Sequence, residues 1–534
     1  MKTYPPALCL FVLLASAPSL VTAMTTDDFP KDTSTIESLA PEQAARLVER
    51  FRGGTLGLDG LTRLDAATAQ ALADGLPRDA GGSAVAFRLS LGGLTALDAA
   101  AAQALADSRW HHLGLDGLAS LPVATARALA AFRGNLSLGG LQALDADAAR
   151  ALDAFKGGQL TLGGRAALAG PAAGELAGLR CGLLILRDLT QLDEAMATAV
   201  ANCGVQVYLT GHFTLAPPAA RRLAAFKGRS LTLAGLHAVD PETVTALAAL
   251  QGSELSLAGL ATLDAETAAA LAGSKAWNGR LPGLKELDPG TAAALAKFGG
   301  EWLTLEGLVG IDAATARALA AFDGRLLKLS GLRTLDAATA TALARSKAWS
   351  GEVWQMDTLS ADAVRPLAER AGDRAAALRV RGLTRLDAET SQVLASSPAW
   401  DGMLPNLRSL DAATARVLVA CRAPGLSLSG LRTLDAETAA VLAGSQRWNG
   451  ELYGMTALDG ADSLAVAKAL ATHKGPLSLL NLKKISPKTL SALITKEDVE
   501  LPLIETLELI PEPDGSATDD FVIPKAFQER QKRR

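Results

Sequence analysis

The sequence predicts an α/β solenoid of about 18 stacked strand-plus-short-helix units, each about 24 residues long, with a parallel sheet on one face. Three observations predict it. A strand-like L-x-L-x-G-L phrase returns along the chain, cleanly at Leu89–Leu94, Leu303–Leu308 and Leu426–Leu431. Each copy continues into x-x-L-D-A-x-T-A-x-A-L-A, a short helical pattern. The aspartate that opens the second phrase keeps step: Asp240, Asp264, Asp288, Asp312 and Asp336 are 24 residues apart, as are Asp387, Asp411, Asp435 and Asp459. Ser360 and Ser486 fill that slot in two other copies. Upstream it is held by Asp65, Asp98, Asp145 and Asp193, and by Pro122, Ala169 and Ala216 in degenerate copies.

The chain opens with the features of an export signal. Lys2 supplies a positive start, Ala7–Ala15 is a short apolar run, and Val21-Thr22-Ala23 suits cleavage before Met24. Residues 1–23 are therefore expected to be a signal peptide, with 24–35 a flexible polar lead-in. The apolar run is too short to span a bilayer; retention as an anchor is the alternative.

The solenoid is expected over residues 36–510. Within a unit, alternate strand residues face opposite ways, so Leu89 and Leu91 point inward and Ser90 outward. Asp98 then accepts from free backbone N–H groups at the helix start. In copies such as Asp264–Thr267, Glu266 favours the positive end of the helix dipole, and the Thr267 hydroxyl can turn back toward the cap. Apolar residues at Ala102, Leu105 and Ala106 form one helical face. Gly or Phe-x-Gly ends the helix and returns the chain to the next strand. No unit buries enough surface alone, so stability belongs to the stack.

A variant unit replaces Phe with Trp, at Trp277, Trp349, Trp400 and Trp448, each within a Trp-x-Gly turn. The turn gains residues and the strand loses them, so the step survives; these indoles are expected to be structural plugs. Near Asp74–Ser83 an insertion stretches the step to 33 residues, from Asp65 to Asp98, and is expected to protrude. Residues 511–534, rich in Pro and charge, are expected to be a flexible tail.

Composition bounds the partners. With 52 Lys plus Arg against 56 Asp plus Glu, there is no general pull toward nucleic acid or membrane. Cys181 and Cys203 lie 22 residues apart, each as Cys-Gly before a strand. Neighbouring rungs are spaced about 4.8 Å apart, within reach of a disulfide, and an exported protein permits oxidation. A disulfide between them is one expectation; a column of buried thiols is the other.

These units resemble leucine-rich repeats over nearly everything from about residue 36 to 510. L-x-L-x-G-L matches the first half of that pattern and the helix its variable half. The variant rungs, Leu281-Pro282-Gly283-Leu284 and Leu404-Pro405-Asn406-Leu407, with Cys before the strand at Cys203 or Cys421, resemble the bacterial treponemal or BspA-like class. One departure is that Gly93, Gly140, Gly259, Gly331 and Gly430 stand where that family places Asn, so its buried Asn ladder is absent. A right-handed parallel β-helix stays open as an alternative. The resemblance implies binding of proteins or envelope components through the concave sheet.

Two surface columns are candidate sites. Ser90, Ser137, Thr161, Thr232, Ser256, Thr304, Ser427 and Ser478 form a hydroxyl track interrupted by Tyr208, Lys328 and Arg379; it suits an extended polymer, or simply an exposed strand. The column just after the Gly-Leu pair is bland at Thr62, Thr95, Ala119, Gln142, Ala166 and Thr190. It then carries Lys285, Arg333, Arg408, Arg432 and Lys483, with Arg385 one place beyond. Like charges on neighbouring rungs repel, so this basic stripe implies either an acidic partner or neutralisation by nearby Asp and Glu.

Other chemistry finds no footing. Helix capping accounts for the Asp column without calcium. The histidines (His111, His112, His212, His237 and His473) show no metal-ligand spacing. There is no P-loop and no G-x-S-x-G. The expectation is an exported, periplasmic or secreted bacterial interaction scaffold without enzymatic activity, cofactor or metal. It would bind a protein or an acidic envelope or extracellular ligand, with no nucleic acid and no transmembrane span. The alternative is a structural envelope protein that self-associates.

Overall fold

The computed structural model describes residues 29–513 apart from 31, 77–85, 164–171, 252, 352–354 and 375–376, together with 515 and 527. The export segment, the tip of the insertion after Asp74 and most of the tail lie outside these residues. Within them the chain is a leucine-rich-repeat-like α/β solenoid. Nine parallel strands, from Gly54–Gly57 to Glu254–Ser256, pair in sequence order. Further on, Trp302–Thr304 pairs with Leu326–Lys328, and Leu477–Ser478 with Val499–Glu500. A second short ladder runs through the turns, joining Ala457–Leu458, Lys484–Ile485 and Glu508–Leu509. No helix among the described residues is long and apolar enough to cross a membrane.

Alternation places the strand leucines inside. Leu89 and Leu91 are fully buried, and opposite them Ala102 and Leu105 bring the helix down onto the sheet. The glycine after the strand sits where rungs touch. A Cβ on Gly140 would lie 1.7 Å from the Asp116 carbonyl oxygen, and one on Gly331 1.9 Å from that of Glu306. The backbone of one rung therefore rests on the next with no room for a side chain. That contact explains why Gly holds the position given to Asn in the resembled family.

Asn406 and Asn481 hold that position in two rungs and donate to the Arg381 and Tyr453 carbonyls of the rungs before them; elsewhere the rungs are fastened on the helix side. Aspartate caps the helix as the sequence predicts: Asp98 Oδ1 accepts from the Ala101 N–H at 2.8 Å, and Asp145, Asp240 and Asp435 do likewise. In several units the threonine at the third helical position is buried and reaches the preceding rung, whereas the buried Thr267 and Thr339 hydroxyls bond neither to it nor to their caps. Thr125 Oγ1 donates to the Leu97 carbonyl at 2.9 Å, Thr315 to Leu287 at 3.2 Å, Thr390 to Leu359 at 3.1 Å, and Thr438 to Leu410 at 3.5 Å. Each acceptor lies immediately before the preceding helix cap. The turn toward the cap also occurs, at Thr68 with Asp65, 3.0 Å away. Thr68 Oγ1 lies within 3.2 Å of the Leu39 carbonyl as well.

The Trp units are built as plugs. Trp277, Trp349, Trp400 and Trp448 are all buried. Each indole-bearing residue bridges to the first strand leucine of the preceding rung: Leu255, Leu327, Leu378 and Leu426. The indole thus takes a leucine's place, and the two residues after it bulge out. The bulge closes on a glycine in the left-handed region, with φ of 73° at Gly279, 76° at Gly351, 74° at Gly402 and 73° at Gly450.

Two details depart from the sequence reading. The helix Ser463–Ala471 starts after Asp462, not at Asp459, and Asp462 makes no side-chain cap bond. Packing also continues past residue 510. Glu512 is buried, accepting from Ser486 Oγ at 2.9 Å and from the Lys488 N–H at 2.7 Å. It supplies the cap acceptor that Ser486 does not, and Phe527 is buried in the hydrophobic core.

Candidate ligand-binding surface

The turn after each strand forms a hydrogen-bonded column of its own. The Arg333 N–H donates to Val309 O, Arg408 to Thr384 O, Arg432 to Arg408 O and Lys483 to Thr456 O. Side chains here stack one per rung at about 4.8 Å. Lys285, Arg333, Arg408, Arg432 and Lys483 occupy this column and are exposed; Arg385, one place on, is exposed too. Val309 separates Lys285 from Arg333, Asp357 and Thr384 separate Arg333 from Arg408, and Thr456 separates Arg432 from Lys483. The structure therefore brings together one pair, Arg408 and Arg432.

None of the six cations has an ion-pair partner among the described residues. Ion pairs do form elsewhere on the same face, between Lys328 and Glu306 at 2.6 Å and between Arg381 and Asp401 at 3.1 Å. The Arg408–Arg432 pair thus carries two uncompensated charges on adjacent rungs, an arrangement that costs repulsion in the free protein.

The pair lines an open concavity of about 680 Å³. Gly382, Gly430 and Gly454 form its side-chain-free floor, and Thr384, Ser429 and Thr456 supply hydroxyls. Asp357 and Gln355 stand at one end and Tyr453 at the other. Tyr453 is 38% exposed, unusually open for a large aromatic here. The sequence reading missed it, because it lies at the start of the turn, three places before the column that holds the basic residues. The signal was present in an isolated aromatic at a turn position that other rungs give to residues such as Pro405, Ser429, Glu306 and Arg381.

The hydroxyl track is less open than expected. Ser137, Thr161, Thr304, Ser427 and Ser478 are buried by the side chains beside them. Ser137 Oγ donates to Asp116 Oδ1 at 2.6 Å, as Ser90 Oγ does to Asp59 Oδ1.

Cys181 and Cys203 are free thiols, both buried. The expected bridge is not formed, and register supplies the reason. Leu183 pairs with Gln206 and Leu184 with Val207, a step of 23 residues. The cysteines, 22 apart, are one residue out of step with the strands that follow them. Cys203 Sγ lies 3.5 Å from the Ala199 carbonyl and 3.6 Å from that of Leu176. Burial pushes the Cys181 thiol up to about 11 and that of Cys203 up to about 12. Among the described residues no cluster of His, Cys, Asp and Glu is arranged to hold a metal ion.

No family model matches the chain, and no curated protein matches it. Among solved structures it is similar to an internalin from Listeria monocytogenes at 12% identity and a TM-score of 0.25, over 89% of this chain and 97% of that one. It is also similar to a chain of the Drosophila Toll–Spatzle complex at 13% identity and a TM-score of 0.32, over 84% of this chain and 54% of that one. The present chain spans about half the length of that second relative. Neither likeness carries an argument about function.

Proposed function

We propose that this protein is an exported, non-catalytic interaction scaffold that binds an acidic protein or envelope component through the turn surface of its C-terminal half. The observation that carries the reading is the Arg408–Arg432 pair, two exposed guanidinium groups on adjacent rungs with no internal counter-charge, over an open concavity. Arginine presents a planar fork suited to carboxylate and phosphate. Tyr453 adds the kind of amphipathic aromatic that anchors interfaces. Lys285, Arg333, Arg385 and Lys483 extend the positive field along the solenoid and speed encounter with an acidic partner. Export is supported by Lys2, the apolar run and the small residues before Met24.

The test is affinity capture from cell-envelope and culture fractions, with the mature protein beside a variant carrying Glu at Lys285, Arg333, Arg408 and Arg432. A partner held by the parent and lost by the folded variant is the expected result. Equal capture by both overturns the basic surface as the site. Concentration-dependent growth of the parent alone, followed by light scattering, favours the self-associating structural reading instead.

A further inference from the structure

Resting on that reading, we infer that the acidic ligand is a polysaccharide bearing carboxylate or phosphate groups, seated in the concavity between Asp357 and Tyr453. The lining separates this ligand from an acidic peptide. A peptide interface takes most of its affinity from apolar anchors set in pockets, and beyond Tyr453 and Pro405 this concavity offers none. Its walls are the hydroxyls of Thr384, Ser429 and Thr456 and the amides of Gln355 and Asn406, over a glycine floor.

A sugar ring answers each of these features. Its hydroxyls donate and accept in equal measure, matching Ser and Thr groups that do both. One pyranose face is apolar and covers an exposed ring such as Tyr453.

The charges are arranged to the same end. Arg408 and Arg432 take the anionic substituent in charge-assisted hydrogen bonds. Asp357, which has no side-chain partner among the described residues, faces the same space from the other end. A carboxylate there repels any acidic ligand, but a sugar offsets the repulsion with hydroxyls that donate to it. Asn406 and Asn481 hold the adjoining turns by donating to the Arg381 and Tyr453 carbonyls, each at 2.9 Å, so the cradle is fixed before any ligand arrives.

The experiment is calorimetric titration of the mature full chain with four probes: oligogalacturonate, a phosphorylated mannan, neutral dextran oligomers and oligoglutamate. Oligogalacturonate or the phosphomannan should bind, and which of them does distinguishes carboxylate from phosphate as the anion. Dextran and oligoglutamate should bind at least about tenfold more weakly. R408A and Y453A should each weaken the acidic glycan about tenfold, the loss of one charge-assisted bond or one stacked ring. D357N should strengthen oligoglutamate but not the glycan, which loses an acceptor for its hydroxyls along with the repelling charge, a split that damage to the fold would not produce. Oligoglutamate binding as tightly as the glycans, with Y453A neutral, overturns the polysaccharide inference and leaves the acidic-partner reading standing. No binding of any acidic probe, with capture in the preceding test also insensitive to the arginines, overturns both.

Discussion

Replacing Thr125 with Val isolates the threonine fastening between rungs. Thr125 is 2% exposed, and its hydroxyl donates to the Leu97 carbonyl at 2.9 Å. The cap of its own helix is Pro122, which offers no competing carboxylate. Valine keeps the shape and a similar helix propensity, and its extra buried methyl returns about 0.8 kcal/mol. Against that, a carbonyl enclosed between rungs loses its donor, at about 1–3 kcal/mol. The net expectation is a local loss of about 1 kcal/mol. In native-state hydrogen exchange this is roughly a fivefold fall in protection, centred on the helices Ala99–Ala106 and Val123–Leu129. Every other effect of the change favours the variant. A T125V protein protected as well as the parent, or better, would therefore refute the fastening.

Three further expectations rest on the geometry. G402A should destabilise its rung by about 1–3 kcal/mol, because φ is 74° and a Cβ would lie 1.8 Å from the Gly425 carbonyl oxygen; a melting temperature unchanged from the parent would argue against the bulge. Cys181 and Cys203 should resist iodoacetamide at pH 8 in the folded protein, since burial raises both thiols, and both should alkylate once unfolded without reductant; a cross-linked peptide joining them would show that the register argument fails. The cap carboxylates of Asp264, Asp312 and Asp336 are held below their ordinary value, chiefly by backbone N–H donors, and that of Asp288 chiefly by the Thr291 hydroxyl. A lowered folded-state pKa contributes stability that is present above the unfolded value of 3.8 and is lost as pH falls through the folded one. Acid unfolding, followed by circular dichroism, should therefore begin below about pH 4 and be less steep after Asp→Asn at all four caps; an unaltered acid transition would remove the caps as its cause.

The period made the architecture readable, because strand leucines, cap aspartate and helix alanines each repeat a local requirement. The Trp plugs were legible for the same reason: the Trp-x-Gly turn recurs with its compensating shorter strand. Contacts between rungs were harder to read. The Thr hydroxyl looks toward its own cap in a single unit, and only the stacked neighbour reveals the second acceptor. The cysteines match in that both precede a strand, but the extra residue before Val207 changes the step from 22 to 23. Of the candidate surface, the cations were legible as a column. Their reduction to one adjacent pair, and the partnership with Tyr453, required knowing that two columns converge on a single concavity.

The Trp unit has a consequence for how such a chain can change in length. It inserts a bulge and shortens the strand by the same amount, so Leu-type and Trp-type units enter and leave in the same register. Recombination between any two of them would delete or duplicate whole units without disturbing the rungs on either side. An insertion smaller than a unit enjoys no such immunity and must be pushed out of the stack. The molecule is thus measured in whole tiles of two interchangeable kinds, and the reach of its binding surface can be lengthened or trimmed without redesigning any one of them.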